Sequence, residues 1–414
     1  LGLPLSQVQI AAAAAQLLVM AGQSGDIEVN ARRKAILATY VDQLFTDAHA
    51  DWANNAPDRN LLVGRMALAM KGLKQGGGSN GAFGLMDRYS ELKALRDRSE
   101  DEYQTLLAGP SDDEVLAYMK NAATEADVRN LAFSQFKPEE FPTHSALVEQ
   151  LTHGRFKHHK KEEVDHLAAM LGSWVRTGPY GKLFDGVTNR RLDGRVAHFE
   201  LGFLPRAAKE MKEAAVFAVS NYIRQHIVTL PRALWKRVIF EEPARYITVP
   251  GAEEMFAEFY AQLGKFGCRV MPVTQQYGQL SKSALRPVIF GNSKQILMMK
   301  QQDRKDLDEI GDTIGLPAAA RSMIRNFVLP EHQRGSNRYS DLAVFGLEQE
   351  GSSCGAIRNF APPEILYVSE SAGEKFDQRE KALAQYPNMI EGIFREVERA
   401  EKEAALARDK LFKK

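Results

Sequence analysis

Trp235–Tyr246 reads WKRVIFEEPARY. A basic pair, Lys236 and Arg237, leads into Val238, Ile239 and Phe240, and two carboxylates, Glu241 and Glu242, follow at once. A short apolar run ending in paired acids predicts a buried strand that delivers its charges at the carboxyl edge of a sheet. Open α/β sheets place their ligands at that edge. The same pattern also fits a strand that merely ends in solvated acids, so the neighbouring segments carry the decision.

Gly251–Phe266 has apolar residues at helical spacing, Met255, Phe256, Phe259 and Leu263, and Gly267 follows where a helix C-cap belongs. Cys268–Gln276, CRVMPVTQQ, is a second apolar strand, tipped by Thr274 and Gln275. Strand, helix and strand make one βαβ unit. The right-handed crossover puts both strand ends on the same edge, so Glu242 and Gln275 are expected to face one site. In nucleotide hydrolases an acid-tipped strand of this kind is the Walker B element. Glu241 would then hold Mg²⁺ through water and Glu242 would polarise the attacking water. An amide at Gln275 would sense a γ-phosphate or orient that water.

From about Gly178 to Leu383 the chain resembles the large ATPase of type IV secretion and conjugation systems, the TraC/TrbE type of the HerA–FtsK superfamily, also known as VirB-type conjugal transfer ATPases. The matching stretches are GPYGKLFDG (178–186), VAHFELGFL (196–204), RVIFEEPARY (237–246), KFGCRVMPVTQQ (265–276) and FGNSKQILMMKQ (290–301). The resemblance implies an α/β fold: a RecA-like P-loop NTPase core, a mainly parallel sheet with flanking helices, plus an all-α helical domain. It implies ATP and Mg as cofactors, with Glu241, Thr274, Arg245 and Arg358 near the nucleotide. It also implies hexamer-type assembly at the cytoplasmic face of the inner membrane. The partners would be other secretion components, including a coupling ATPase and inner-membrane subunits.

Two departures stand against that pattern. No G-x-x-x-x-G-K-[ST] occurs in the sequence. The glycine-rich stretch Lys74–Gly84, KQGGGSNGAFG, lacks the lysine–hydroxyl pair that reaches phosphate and Mg²⁺, and it reads as a flexible loop. The family order puts the phosphate loop upstream, and the chain opens on Leu1, so an upstream part is expected to be missing. Glu241 also stands where the family usually has aspartate; it can still coordinate by oxygen, one methylene further out. This chain alone is therefore expected to be inactive. The alternative is a degenerate ATPase that scaffolds secretion partners and turns over nothing.

With 414 residues, 44% apolar and 26% charged, the chain is expected to form two domains of ordinary globular composition. Fifty-four basic against 53 acidic residues argue against an overall electropositive nucleic-acid surface. Two cysteines, Cys268 and Cys354, are too few for a disulfide framework or a zinc site. The alanine-rich run Ile10–Ala21 is too short to span a bilayer and has no basic leader.

Residues 1–177 read as a helical domain, with helices over Ser6–Gly22, Asn30–His49, Ser111–Asn121, Thr143–His153 and Glu162–Arg176. The cluster RFKHHKK (155–161) fits a solvated loop, or contact with DNA or an acidic partner. Residues 178–386 read as the ATPase core. A strand is expected over Val196–Leu201 and a helix over Pro205–His226. Further on come a helix over Leu280–Gly291, a buried strand over Gln295–Met299 and helices over Asp303–Ile314 and Ala318–Phe327. Strands Leu342–Glu348 and Gly355–Phe360 would join through the turn EGSS. Arg358 lies on the last strand, as an exposed cross-strand charge or as a phosphate contact acting across a subunit boundary; Arg245 is its rival. Residues 387–414 read as a charged C-terminal helix.

Overall fold

The computed structural model describes residues 4–73, 84–154, 156, 159–187, 194–202, 204, 208–243, 252–275, 277–283, 285–301, 303–329, 339–348, 351–369 and 373–412. The glycine-rich loop beyond Leu73, Arg245, Arg155, Lys157 and His158 lie outside them. The chain packs as two compact units. One is Leu1–Gln275 with Gln279–Ile289, and the other is Gln276–Gly278 with Phe290–Lys414.

Before Lys236 the described residues hold helices and no strand. The long ones are α1 (Gln7–Ala21), α2 (Ile27–Asn55), α3 (Pro57–Gly72), α4 (Gly84–Arg98), α5 (Glu100–Ala108), α6 (Asp112–Met119), α7 (Ala122–Ala132), α8 (His144–His153) and α9 (Lys161–Leu171). A short α10 (Gly181–Phe184) and the long α11 (Lys209–Thr229) follow. Caps set the starts. Ser6 and Ser111 each close a capping box with Gln9 and Glu114. The helix expected from Asn30 starts earlier, at Ile27, capped by Asp26, and Asn30 pairs its side chain with the backbone of Ser24. One core joins these helices, centred on Leu37, Tyr40, Phe133, Leu151, Leu167 and Trp174, all under 2% exposed except Trp174 at 2%.

GPYGKLFDG folds against that core. Trp174 donates from Nε1 to the Met20 carbonyl at 2.8 Å, and Tyr180 and Phe184 pack on its ring. Asp185 is buried and accepts from the Ser145 hydroxyl, from Ser145 N–H at 3.2 Å and from Arg176 N–H at 2.7 Å. Burial pushes the Asp185 carboxyl up, but these bonds and the neighbouring His144 outweigh it and hold it below the usual carboxylate range. No side chain fits at Gly181, where a Cβ would strike the Val175 carbonyl.

The strand expected over Val196–Leu201 is irregular chain, with Val196 88% exposed. It has apolar residues but no ladder partner among the described residues, and unpaired backbone stays in water. Beyond α11, β1 (Lys236–Glu241) runs into Glu242, and α12 (Ala252–Gln262) leads through a 3₁₀ turn, Leu263–Phe266, to β2 (Cys268–Val273). β1 and β2 pair in parallel, from Lys236 opposite Cys268 to Glu241 opposite Val273. The helix expected over Leu280–Gly291 is two, α13 (Tyr277–Ser281) and α14 (Arg286–Asn292). Ser283 turns the chain between them by accepting from Leu285 N–H, and Pro287 sits in the first turn of the second, where a missing N–H costs nothing.

The second unit corrects the expectation of one mainly parallel sheet. β3 (Gln295–Met298), β4 (Tyr339–Glu348) and β5 (Gly351–Phe360) form a separate antiparallel sheet in the order β3-β4-β5. Of β3 only Met298 is fully buried. The hairpin register, Glu348 opposite Gly351, carries β5 back through Gly351–Ser353, so three of the four residues expected to turn belong to the strand, and Glu350 lies outside the described residues. Helices α15 (Arg304–Ile314) and α16 (Ala318–Arg325) cover the sheet through Leu307, Ile324 and Phe345. Helices α17 (Pro363–Ser369), α18 (Gly373–Leu383) and α19 (Met389–Phe412) complete the unit. Glu398 and Lys402 on α19 form an i,i+4 pair at 2.6 Å.

Two outcomes test this packing. Gly267 caps the α12 turn at φ +69°, and a Cβ there would meet the Arg232 carbonyl. Gly267→Ala should cost about 2 kcal/mol in chemical denaturation, since the left-handed backbone alone costs roughly 1–2 kcal/mol for an L side chain. The second concerns pH. Burial, reinforced by Arg129, holds His49 below its ordinary pKa; burial, opposed by Asp185, does the same at His144. Protonation therefore favours the unfolded chain. This stability is complete above the unfolded pKa of about 6.5 and is lost as the pH falls from there through the lower folded pKa. The melting temperature should drop between pH 7.5 and 5, and His144→Gln should make that drop shallower.

Candidate functional site

The parallel pair is built from one side. Phe240 packs edge-on against Phe256 and Phe259 of α12, with centroids at 4.6 and 5.5 Å, and both helix rings are almost fully buried. Each such side chain removed from water stabilises by about 1.5–3 kcal/mol. Arg224 of α11 pairs with Glu258 of α12 and sets the neighbouring helix. Lys236 donates from Nζ to the Pro231 carbonyl at 2.8 Å and to the Phe266 carbonyl, tying the start of β1 to the end of the 3₁₀ turn. Burial lowers its pKa, the Cys268 sulfur opposing, while burial raises the thiol of Cys268.

Gly267 sets the register. In its left-handed conformation it ends the helix and lets its carbonyl accept from Lys236 N–H at 3.0 Å, the first rung of the ladder. At the far end the rungs run one residue past β1, with Glu242 N–H donating to the carbonyl of Val273, the last residue of β2, at 2.8 Å. The Gln275 N–H then donates to Glu242 Oε1 at 3.1 Å. Glu241, Glu242, Thr274 and Gln275 thus share one edge. Glu241 and Gln275 are exposed, while Glu242 and Thr274 are half-buried. Elsewhere on α12, Glu253 Oε1 accepts from Ser283 Oγ at 3.3 Å.

Chemically, this edge offers two adjacent carboxylates, one tethered and one in solvent. Oxygen-only donors of this kind suit a hard cation such as Mg²⁺ held through water. Among the described residues no group of three or more His, Cys, Asp or Glu is gathered closely enough to form a metal cage. A water-mediated Mg²⁺ held partly by nucleotide phosphates does not require one.

Arg358 belongs to the second unit. Its guanidinium pairs with Asp341, the residue opposite it in the β4–β5 ladder, at 2.8 and 3.3 Å, and lies over the Tyr339 ring at 3.9 Å. The hydrogen bond to Asp341 raises its pKa. The cross-strand charge is thus what the geometry provides, beside an open cleft walled in part by Asn326, Phe327 and Ile357.

Sequence reasoning missed two features of the edge. The left-handed backbone at Glu242 has no compositional signal beyond Pro243 next to it, and the Lys236 clamp looks in sequence like half of a basic pair.

No family model and no curated protein matches the chain. Among solved structures it is similar to VirB4 of Thermoanaerobacter pseudethanolicus, at 16% identity and a TM-score of 0.41, over 70% of each chain. No described helix is long and apolar enough to cross a membrane.

Arg358→Ala should leave the denaturation midpoint almost unchanged, because an ion pair whose guanidinium stands in solvent contributes little. A larger loss in urea denaturation would give the pair a structural weight that its exposure does not support.

Proposed function

We propose that this chain is part of an ATP-hydrolysing motor of the type IV secretion and conjugation kind. In this reading Glu242 polarises the attacking water, Glu241 holds Mg²⁺ through water, and Gln275 and Thr274 face the γ-phosphate. The observation that carries it is the meeting of Glu242 and Gln275 at the carboxyl edge of a parallel βαβ unit, bonded at 3.1 Å. Order and spacing of the five sequence stretches supply the choice of system. The motor would assemble as a hexamer at the inner membrane, with other secretion components as partners, and would energise pilus assembly or the transfer of substrate or DNA.

A scaffold that binds secretion partners and turns over nothing is the second reading. It is favoured by the absence of G-x-x-x-x-G-K-[ST] from these 414 residues and by glutamate at position 241. Phosphoryl transfer rests on positioning and on stabilising charge at the γ-phosphate. Backbone N–H groups and a lysine of the phosphate loop supply most of that.

ATP turnover by the complete gene product separates the two. Turnover abolished by Glu242→Gln is expected for the motor, and turnover at background for both forms would leave the scaffold. This chain by itself should give no micromolar Mg-ATP site in calorimetry. A tight site here would mean that other residues cradle the phosphates.

A further inference from the structure

Among the described residues, Glu242 is the one non-glycine with positive φ, at +47°. An L side chain in that region crowds the adjoining carbonyl. Asparagine and aspartate ease this with short local hydrogen bonds, for which the glutamate side chain is one methylene longer. Pro243 follows, and a proline narrows further the conformations open to the residue before it. Strain of this kind persists where its surroundings over-determine it, and it gathers at functional sites.

Two bonds hold residue 242. Its N–H donates to the Val273 carbonyl at 2.8 Å, a main-chain rung that any residue but proline could make. Its Oε1 accepts from Gln275 N–H at 3.1 Å, which needs a side-chain acceptor of this reach. The second bond spans the two strand ends, 33 residues apart in sequence, and it is what makes the identity of the side chain matter.

We propose that Glu242 is a latch. The Gln275 main-chain amide tethers one carboxylate oxygen and so keeps the backbone of residue 242 in its left-handed state. When that bond opens, the backbone relaxes towards the extended region and the carboxylate leaves the edge. Gln275 is then a positioning residue that acts through its main chain, independently of its side chain. The use of the latch rests on reading this edge as a phosphoryl-transfer site. A group that polarises water works only while its own orientation is fixed, and a second group must fix it. A displacement of Gln275 by ligand would pass directly to Glu242.

The test needs no nucleotide. In chain labelled with ¹⁵N-glutamine, the Gln275 amide should exchange slowly with solvent. Glu242→Gln keeps an acceptor oxygen at the same reach and should keep that protection. Glu242→Ala removes it and should speed exchange on the order of tenfold, as expected for loss of one hydrogen bond. The backbone arm reads the ¹³Cα and ¹³Cβ shifts of residue 242, which should report left-handed backbone in wild type and Glu242→Gln and extended backbone in Glu242→Ala. Exchange at position 275 that is equal in wild type and Glu242→Ala overturns the tether. Shifts at residue 242 that stay left-handed in Glu242→Ala overturn the latch. Turnover of the complete gene product is scored separately: its absence sinks the motor reading while the exchange and shift results still decide the latch.

Discussion

Everything at the candidate edge depends on the parallel pairing of β1 with β2. An antiparallel pair can be closed by a two-residue turn, whereas a parallel pair needs a crossover that returns the chain to the strand's starting end. Here the crossover includes α12, the 3₁₀ turn and Gly267. Gly267 fixes where β2 begins, and its carbonyl bonded to Lys236 N–H fixes which residues stand opposite. Because successive side chains alternate between the faces, a slip of one residue would turn Phe240 away from Phe256 and Phe259 and carry Glu242 off Gln275. Core packing and edge chemistry are thus set by the same register.

The helical half illustrates a different economy. Five of its helices begin at caps that satisfy orphan backbone N–H groups, at Ser6, Asp26, Ser99, Ser111 and Thr143. Two of its charged groups are bonded in place. Asp185 takes three donors, and Arg59 grips Glu140 with both terminal nitrogens, at 2.7 and 3.0 Å. Asp185 belongs to GPYGKLFDG. Within this chain that stretch closes the end of the helical core, with Gly181 demanded by the Val175 carbonyl and Phe184 by the Trp174 ring.

Local signals were legible wherever one residue type has one physical use. Gly267 as a helix cap, helix starts at Ser111 and Asp303, and the period-3.6 face of α12 all read correctly from sequence. What failed was partner choice. Val196–Leu201 alternates like a strand, but a strand exists only when another backbone accepts its hydrogen bonds. Gln295–Met298 was recognisable as a strand, yet nothing in its own residues says that it pairs antiparallel to β4. Arg358 shows the same limit at a side chain. Its meaning comes from Asp341, 17 residues away in sequence and opposite it only once the hairpin register is set. Of the edge itself, the co-location of Glu242 and Gln275 followed from crossover handedness, while the bond between them depends on a backbone angle that glutamate rarely adopts.

The two faces of the β1–β2 pair are unequal, and the inequality explains why the edge holds its shape. Val238 and Phe240 point to the α12 side and are covered or half-covered. Ile239 and Val273 point the other way and remain 57% and 39% exposed, beside Trp235 at 75%, whose ring carries Arg269 at 4.7 Å. Parallel strands are ordinarily buried on both faces, and two strands alone are marginal in water. The ordering force on β1 and β2 therefore comes almost wholly from the α11–α12 side: the three phenylalanines, the Arg224–Glu258 pair and the Lys236 clamp. Those contacts lie along the body and the starting end of the strands. At the carboxyl end the last rung, from Glu242 N–H to the Val273 carbonyl, is followed by the carboxylate–amide bond to Gln275. There a single hydrogen bond has the leverage to decide where a carboxylate stands.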